Sequence, residues 1–548
     1  MSASSHPSAL PTITHAAIPP AVREALAVSS AGSPRLIKLV SAIAEELGTK
    51  TPPENVPVLM ALAADMALSA WEQAPFTPHV CDVLLQVQEQ YPFLPEKVLK
   101  NVRRNMASTQ RDSQTLKTLA GFLKSNDVDA AKNFLATELK STAHSMPRFA
   151  LHFGLYGNDL EWLTRYLSEA GDISPMMRAM AKADILFAKE EWEKAGKEYT
   201  DLYSEASLPG LLVKAGECFL RMGERKKAAT LWRQAWKMRP WATNIVLQLT
   251  DLLRNDDLPG ELPEGKGAIL LYSWNHARDL DLAMESLAAS ETGGVPILLL
   301  DNGSTDDTAS VAMRWKEALG EQLRLTTLPT NVGAPAARNW LLTLPEARTA
   351  DWVVYLDDDA IVPSDWLGYF GTALKAHPKA HIVGCRVVDM FAPLTLQSVD
   401  LHFECDLVSE RQVGFNVTSY HEGMPDFGEF SYMRPCISVT GCCHLLTRSS
   451  LDAVGGFDLR FSPSQFDDLD RDLRSGTNGE IPLYNGHLRV GHRKRSGSAV
   501  NISAWQKANV NGNSLKVQQS HPAEAVNTLH SAALSVLEKD LAERLAML

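Results

Sequence analysis

The stretch WVVYLDDD, residues 352–359, runs from five apolar residues directly into three consecutive carboxylates. The apolar part has the length and composition of a buried β-strand. Strands of an open α/β sheet present ligand-binding groups at their carboxyl ends, so we expect a site at the end of this strand. Three adjacent acids repel one another, and a divalent cation that carries a diphosphate would satisfy them. The alternative is a solvated acidic loop.

Segments on both sides of this stretch alternate between strand and helix. The apolar patterns predict strands at 267–272, 295–300, 323–328 and 352–356, separated by helices at 279–290, 305–319 and 334–344. Alternation of this kind gives a mostly parallel sheet with helices on both faces. We therefore predict an α/β domain over residues 266–510.

Residues 35–255 read as almost wholly helical, since apolar residues recur there at helical spacing. A small–aromatic–small pattern also recurs 33 residues later: Ala195, Tyr199 and Leu202 are followed by Ala228, Trp232 and Ala235. This spacing resembles tetratricopeptide repeats, which stack into surfaces that hold polypeptide. A plain helical bundle without a partner is the alternative.

The ends of the chain and the junction between its halves have a different composition. Residues 1–34 are rich in Ser, Ala and Pro and predict a disordered leader, and acidic, Gly and Pro residues cluster in a linker at 255–265. Residues 511–548 have a helical apolar pattern and predict a C-terminal helical extension. A multidomain chain is what 548 residues lead us to expect.

Charge and composition exclude several classes of protein. The net charge of −12 argues against a nucleic-acid-binding surface. The sequence has no run of about 18 apolar residues, and we expect no integral membrane segment. It also lacks the pattern of a secretory signal, and its 7 cysteines show no CxxC spacing, so we expect a cytoplasmic protein with free thiols.

Polar residues follow each of the four predicted strands, and they are of types suited to binding a ligand. The segments lie at 272–278, 300–308, 331–339 and 357–359. Because the carboxyl ends of parallel strands meet at one edge, all four are expected to line one crevice. Asp301 can accept from a nucleobase or a ribose hydroxyl. Gly333 permits close approach of a ligand, and Arg338 can meet a phosphate or a base carbonyl.

The order and spacing of these segments resemble glycosyltransferase family 2, the nucleotide-sugar-dependent enzymes with a GT-A fold. The resemblance covers about residues 266–500. It rests on Asn275, DNGSTD at 301–306, NVG at 331–333 with Arg338-Asn339, the acidic triplet, GGFD at 455–458 and FDDLD at 466–470. A NAD-binding Rossmann enzyme fits less well, because the first strand leads into Ser-Trp-Asn-His instead of a Gly-rich turn.

The resemblance assigns roles to individual residues. Asp301 would hold the nucleotide base, Asp357 would support the ribose or the metal, Asp359 would bind the metal, and Asp358 would share the nucleotide contact. It also implies a nucleotide-sugar site that includes Asn275, Asn331, Gly333 and Arg338. His492 follows the last core strand and would complete the shell of a Mn²⁺ or Mg²⁺ ion.

The second acidic cluster, after the GGFD turn, predicts the catalytic base. The family places an acidic pair there, usually Glu-Asp, and this chain has Asp467-Asp468. Asp468 is our candidate, with Asp470 as the alternative. Inverting transfer needs one carboxylate to take the acceptor proton, whereas the diphosphate leaving group needs a cation. A solvated amphipathic helix is the structural alternative for this cluster.

Together these features predict a metal-dependent inverting glycosyltransferase that uses a UDP- or dTDP-sugar. The repeats suggest a protein acceptor, for example flagellin, by analogy with enzymes that combine the two modules. A first alternative is a transferase that extends a lipid-linked or surface polysaccharide, with repeats used for docking to other enzymes. A second is a scaffold that binds nucleotide sugar without turnover.

Overall fold

A computed structural model describes residues 10–49, 51–109, 113–125, 127–142, 145–155, 157–404, 415–418, 421, 424–493 and 503–548. The N-terminal half of this chain is helical, as predicted, and a mixed sheet with flanking helices follows it.

The helices of the N-terminal half are α1 Pro20–Val28, α2 Ser33–Thr49, α3 Val56–Gln73, α4 Pro78–Gln90, α5 Glu96–Thr109, α6 Ser113–Ser125, α7 Val128–Thr142, α8 Pro147–Leu155, α9 Leu160–Glu169, α10 Pro175–Ala188, α11 Trp192–Ala206, α12 Pro209–Arg221, α13 Arg225–Met238 and α14 Thr243–Arg254. Many begin with Pro in the first turn, where its missing N–H costs nothing.

The strands of the C-terminal half are β1 Gly267–Ser273, β2 Ile297–Asp301, β3 Leu323–Thr327, β4 Trp352–Leu356, β5 Ala360–Ile361, β6 Ile382–Asp389, β7 Leu396–Ser398, β8 His402–Phe403, β9 Val417–Thr418, β10 Met433–Pro435, β11 Cys443–Thr447 and β12 Leu483–His492. Its helices are α15 Ala277–Ala288, α16 Thr308–Leu319, α17 Ala334–Leu342, α18 Pro345–Arg348, α19 Trp366–Ala376, α20 Arg448–Val454, α21 Asp467–Thr477, α22 Ala504–Ser520 and α23 Ala523–Leu545.

The residues of the 33-residue pattern occupy matching positions on α11 and α13, and all are buried: Ala195, Tyr199, Leu202, Ala228, Trp232 and Ala235. Gly216 lets α12 approach α13, since an added Cβ would lie 2.3 Å from the indole nitrogen of Trp232. This packing is compatible with helical repeats, and the tetratricopeptide assignment stays a prediction.

The prediction of a disordered leader is wrong for part of its length. Residues 1–9 lie outside the described residues, but 20–28 form α1, and Ile13, Val22 and Leu26 are buried in the helical core. α1 packs against α23, near the other end of the chain. The composition of this segment, rich in Ser, Ala and Pro, resembles that of a disordered chain. Its few apolar residues are buried because a helix distant in sequence, α23, packs against them.

The sheet has the order β3-β2-β1-β4-β11-β6-β12-β10. β1 to β4 pair in parallel, as the strand–helix alternation predicts, whereas β11 is antiparallel to both β4 and β6. The sheet is therefore mixed: β6 and β12 pair in parallel and run in the direction of β4, whereas β11 and β10 run in the opposite direction. Alternation with crossover helices, which keeps strands parallel, stops after residue 380, and the later connections are irregular.

The carboxyl ends of β1, β2 and β4 lie side by side. Ser273 is in register with Asp301, and Leu270 is in register with Tyr355, so the acidic triplet emerges beside the end of β1. β12 runs antiparallel to β5 and brings His492 opposite Ala360, next to that triplet. One edge of the sheet thus gathers segments that are far apart in sequence.

The two halves and the C-terminal extension share a buried polar contact. Arg544 of α23 pairs with Asp251 of α14, and both side chains are fully buried. Asp251 also accepts hydrogen bonds from the Met433 amide at 2.6 Å and from His487 at 3.0 Å. The extension begins earlier than predicted, because α22 crosses the proposed boundary at residue 510. None of the helices that the structure describes is both long and apolar enough to span a membrane.

Candidate active site

The three carboxylates after β4 have three different environments. Asp358 turns toward β1: it accepts a hydrogen bond from the Ser273 hydroxyl at 2.5 Å and lies 3.3 Å from the His276 ring. These contacts bury Asp358 and tie the triplet to the loop after β1. The nucleotide contact predicted for Asp358 stays a prediction.

Asp357 and Asp359 point toward His492. One oxygen from each carboxylate and a ring nitrogen of His492 all lie within 4.8 Å of one another. Carboxylate oxygens and imidazole nitrogen are donors that Mn²⁺ accepts. The predicted metal ligands are therefore brought together, and their donor atoms fit a divalent ion.

His492 is held from both sides. Its Nε2 lies 3.0 Å from Asp359 Oδ1, and its Nδ1 lies 2.8 Å from Oε1 of Gln397. Gln397 also donates from Nε2 to the His492 carbonyl at 2.9 Å. Burial alone would lower the pKa of His492, but the hydrogen bond with Asp359 and the nearby negative charge outweigh it and raise the pKa to about 10. A group behind a ligand in this way fixes the orientation of the ring.

Arg338 of α17 joins the two acidic clusters. Its guanidinium donates to Asp467 at 2.7 Å and lies 3.4 Å from Asp357. The guanidinium is buried and also lies 5.1 Å from the centre of the Phe457 ring. Burial raises the pKa of Asp357 to about 6, although Arg338 opposes the shift. Among the described residues, one guanidinium is thus shared between two carboxylates of this edge.

The candidate base, Asp468, lies in the first turn of α21 and is half-buried. Its Oδ2 accepts a hydrogen bond from the Gly441 amide at 2.8 Å. The Gly441 carbonyl in turn accepts from Arg338, and the next carbonyl, that of Cys442, accepts from the Asp357 amide at 2.8 Å. The backbone at 441–442 therefore places Asp468 beside the acidic triplet.

The alternative base, Asp470, has a structural role. It is fully buried, 2.9 Å from His521 and 2.9 Å from the Arg474 guanidinium. A carboxylate fixed by two cationic or hydrogen-bonding partners away from solvent cannot meet an acceptor hydroxyl. The register of the acidic pair thus favours Asp468.

The residues predicted to hold the nucleotide lie in the loops at the same edge. Asp301 is buried at the end of β2 and accepts from the Ser304 amide at 3.0 Å. Asn275 has a left-handed backbone with φ 56°, and its side-chain oxygen accepts from the Thr305 amide at 2.7 Å. The Asn275 bond connects the loops after β1 and β2, and the Asp301 bond fixes the turn within the second loop.

Asn331 and Gly333 form the turn that leads into α17. Asn331 Oδ1 accepts from the Gly333 amide at 2.7 Å and from the Asn302 side chain at 3.0 Å. Gly333 has φ 85°, and a Cβ there would lie 3.3 Å from Pro463, so glycine is required both by its backbone and by this approach. The turn sets the direction of α17 and hence the position of Arg338.

Three residues that support the candidate site were not predicted from the sequence: Ser273, Gln397 and Gly441. Ser273 ends β1, two residues before Asn275, and Gly441 binds Asp468 and directly precedes the buried pair Cys442-Cys443. A Ser at a strand end and a Gly before two buried residues are sequence signals that could have been used. Gln397 lies 95 residues from His492 in a segment with no regular pattern, so no sequence signal pointed to it.

The profile of the Glycosyl transferase family 2 matches residues 269–455. These residues include Asn275, Asp301, Asn331, Gly333, Arg338 and the acidic triplet, so this part of the chain is similar to glycosyltransferase family 2. Asp468 and His492 lie beyond the matched region. The match supports the prediction that the chain is a glycosyltransferase.

Similar proteins include the PGL/p-HBAD biosynthesis glycosyltransferases of Mycobacterium bovis and Mycobacterium tuberculosis, 28% identical over 117 residues. The match covers 21% of this chain and 44% of each relative, so the chain spans less than half of their length. Among solved structures, GalNAc-T7 with UDP, GalNAc and Mn²⁺ is 12% identical, with 46% of this chain and 48% of that chain covered and a TM-score of 0.36. A mannosyltransferase of Pyrobaculum calidifontis with GDP-Man and Mn²⁺ is 16% identical, with 61% and 85% covered and a TM-score of 0.35.

Proposed function

We propose that this chain is a metal-dependent, inverting glycosyltransferase that moves a sugar from a UDP-sugar or dTDP-sugar to a hydroxyl group. The observation that carries the proposal is the meeting of two acidic clusters at Arg338. Its guanidinium contacts Asp357, which groups with Asp359 and His492, and it also binds Asp467, the neighbour of Asp468. The first set suits a metal, and the second suits proton removal.

Asp359 and His492, with Asp357, would hold Mn²⁺ or Mg²⁺. When bound, such an ion neutralises the diphosphate and makes it a better leaving group. Arg338 keeps Asp357 in place and adds positive charge near the leaving group. Asp301 and Asn275 would then receive the nucleoside at the end of β2.

Asp468 would act as the general base. The acceptor oxygen bonds to the anomeric carbon while the bond from that carbon to the diphosphate oxygen breaks, and the acceptor proton passes to Asp468. The nucleoside diphosphate leaves with the bonding electron pair. Attack from the face opposite the leaving group inverts the anomeric centre, and no covalent intermediate is needed.

The acceptor is proposed to be a protein hydroxyl, as the helical half suggests, with flagellin as one example of the class. The bacterial relatives named above are not informative on this point, because they share only 117 aligned residues with the chain. A lipid-linked or polysaccharide acceptor would use the same base and metal. The residues that distinguish it from a protein acceptor would therefore lie outside the site.

Release of nucleoside diphosphate from a panel of nucleotide sugars, with Mn²⁺, Mg²⁺ or EDTA, tests the proposal. We expect slow, metal-dependent turnover of one donor by the wild type. Asp468→Asn should bind that donor with unchanged affinity and lose about 10²- to 10⁴-fold in turnover. Asp452→Asn, an exposed carboxylate on α20, is the matched control and should keep full activity.

The outcomes separate the alternatives. Binding of a donor without turnover, even with candidate acceptors present, would support a nucleotide-sugar-binding scaffold. Failure to bind any nucleotide sugar with any metal would refute the assignment of the crevice. Equal turnover by wild type and Asp468→Asn would still support a transferase activity but would show that Asp468 is not its base.

A further inference from the structure

A loop of the transferase half, residues 424–431, is inserted into the helical half. Its Phe427 is buried among the apolar residues of the helical core instead of those of its own sheet. The ring packs edge-on against Phe187 of α10, with 5.2 Å between ring centroids. The Lys214 ammonium of α12 lies 3.7 Å from the centre of the same ring. Phe427 thus behaves as an anchor in a pocket of the helical half.

The next residue, Gly428, is fitted to α12. Its φ is 99°, a conformation that favours glycine, and an added Cβ would lie 2.4 Å from the carboxyl carbon of Glu217. Glu217 is buried and is held by Arg221 at 2.8 Å. The carboxyl group therefore cannot move aside easily, and only glycine allows the loop to lie this close.

The backbone of the loop is bound by amide side chains of α14. Gln248 donates to the Gly428 carbonyl at 2.6 Å, and Asn244 donates to the Glu429 carbonyl at 3.0 Å. Both amides are buried. An aromatic anchor, a close glycine and two bound carbonyls are the features by which a surface binds an extended peptide. We call the surface formed by Phe187, Lys214, Glu217, Asn244 and Gln248 the docking face.

The same loop is joined to the strand behind the candidate metal site. The Asp426 amide donates to the Leu394 carbonyl at 2.7 Å, and the Leu396 amide donates to the Met424 carbonyl at 2.9 Å. The two bonds are made just before β7 and at its first residue, and β7 contains Gln397. Gln397 holds both the ring and the carbonyl of His492. Hydrogen bonds joined by short stretches of backbone thus lead from the docking face to a candidate metal ligand.

We propose that the docking face is a peptide-binding surface whose occupant is the chain's own loop 424–431, and that this docking holds Gln397, a positioning residue, behind His492. The second part rests on the proposed function, because it needs His492 to be a metal ligand. The helical half then contributes to the metal site without touching it.

The proposal changes where an acceptor protein can bind. Side chains of three alternate helices, α10, α12 and α14, are already engaged by the loop. An acceptor polypeptide must use a different face of the helical half, or it must displace the loop and so disturb the site it needs. We assign the docking face to the joint between the halves and not to the acceptor.

The test uses full-length variants and two measurements: Mn²⁺ affinity, and hydrogen exchange of residues 394–398. Gly428→Ala and Phe427→Ala should increase exchange in this segment and weaken Mn²⁺ binding about 10- to 100-fold, the usual effect of losing support behind a ligand. Gly223→Ala is the matched control, since φ there is 78° and an added Cβ meets nothing within 4 Å. It introduces backbone strain without a collision and should change neither measurement.

Gln397→Leu should weaken Mn²⁺ binding by a similar factor while the loop stays docked. If the loop acts through Gln397, adding Gly428→Ala to Gln397→Leu should weaken binding little further; full additivity would overturn the relay. Increased exchange with wild-type Mn²⁺ affinity in both loop variants would also overturn it. Should these variants fail to fold, Lys214→Met removes the cation over Phe427 and is expected to give a smaller change of the same sign.

Failure of the proposed function gives a different result. If the wild type binds no Mn²⁺, His492 is not a ligand and the coupling to a metal site is refuted. The docking is then judged by exchange alone: faster exchange at 394–398 in Phe427→Ala supports it, and unchanged exchange overturns it.

Discussion

Gly441→Ala is expected to reduce turnover by displacing Asp468 while leaving the fold intact. A Cβ at this position would lie 2.9 Å from Asp468 Oδ2 and 3.1 Å from Arg338 Nη2, whereas ordinary contacts begin at 3.4 Å. The backbone of Gly441 lies outside the left-handed region, so alanine itself adds no backbone strain. The carboxylate must therefore move by about half an ångström, the difference between those distances.

The magnitude follows from the sensitivity of catalysis to position. A misplacement of about 1 Å can cost about 10²-fold in rate, so we expect about a tenfold loss of turnover from half that displacement. This loss is smaller than the one expected for Asp468→Asn, which removes the base altogether. The hydrogen bond from the Gly441 amide would persist in altered geometry, which keeps the side chain near the site.

Steady-state release of nucleoside diphosphate, together with donor affinity measured by calorimetry, checks the prediction. Gly512→Ala on α22 is the matched control, because its Cβ meets nothing within 4 Å. Full activity of Gly441→Ala beside an inactive Asp468→Asn would refute the view that this glycine positions the base. A loss of donor binding as large as the loss of turnover would instead indicate that the added Cβ displaces Arg338.

Three further predictions concern the metal and the stability of the fold. Asp359→Asn should weaken Mn²⁺ binding at least about tenfold in calorimetry, since it removes an anionic ligand; unchanged affinity would exclude Asp359 from the metal site. Burial raises the pKa of Asp472 from 3.8 to about 7, so the folded state binds its proton more tightly than the unfolded chain does. Urea unfolding of the wild type should lose stability as pH rises through that window, by about 1.4 kcal/mol for each unit of separation, and Asp472→Asn should lose less. Arg544→Met should cost about 3–5 kcal/mol by leaving Asp251 buried without its cation, and replacing both residues should restore part of the loss. Asp540→Asn, at the rim of this contact, is the control and should cost much less.

The parts of the site that lie on regular elements could be predicted from the sequence. Strand β4 and its triplet follow from an apolar run that ends in charge, and Asp301 follows from the same logic at β2. The pairing of Asp359 with His492 needed the family resemblance, because 133 residues separate them and nothing in either local pattern indicates contact. The antiparallel β11 was missed, since periodicity shows that a strand exists but not its direction.

The contribution of the helical half could not be predicted, for a physical reason. Phe427 lies in an irregular segment where an apolar residue has no periodic neighbours, so the sequence does not show which core it joins. Gly428 is equally ambiguous, because a turn and a close approach both need glycine. The position of Phe427 is explained by Phe187 and Lys214, and that of Gly428 by Glu217 and Gln248, all about 200 residues earlier in the chain.

The distribution of charge at the sheet edge explains why three adjacent acids persist there. Asp358 contacts Ser273 and His276, whereas Asp359 pairs with His492 and Asp357 lies 3.4 Å from Arg338. Arg338 is shared between Asp357 and Asp467, and burial raises the pKa of Asp357 to about 6 although Arg338 and His492 oppose the shift. Asp357, Asp359 and His492 would together hold a divalent cation, whose charge would offset that of the two carboxylates. The acidic triplet therefore has two parts. Asp358 holds the loop after β1, and Asp357 and Asp359 form, with His492, a group whose donor atoms suit a cation.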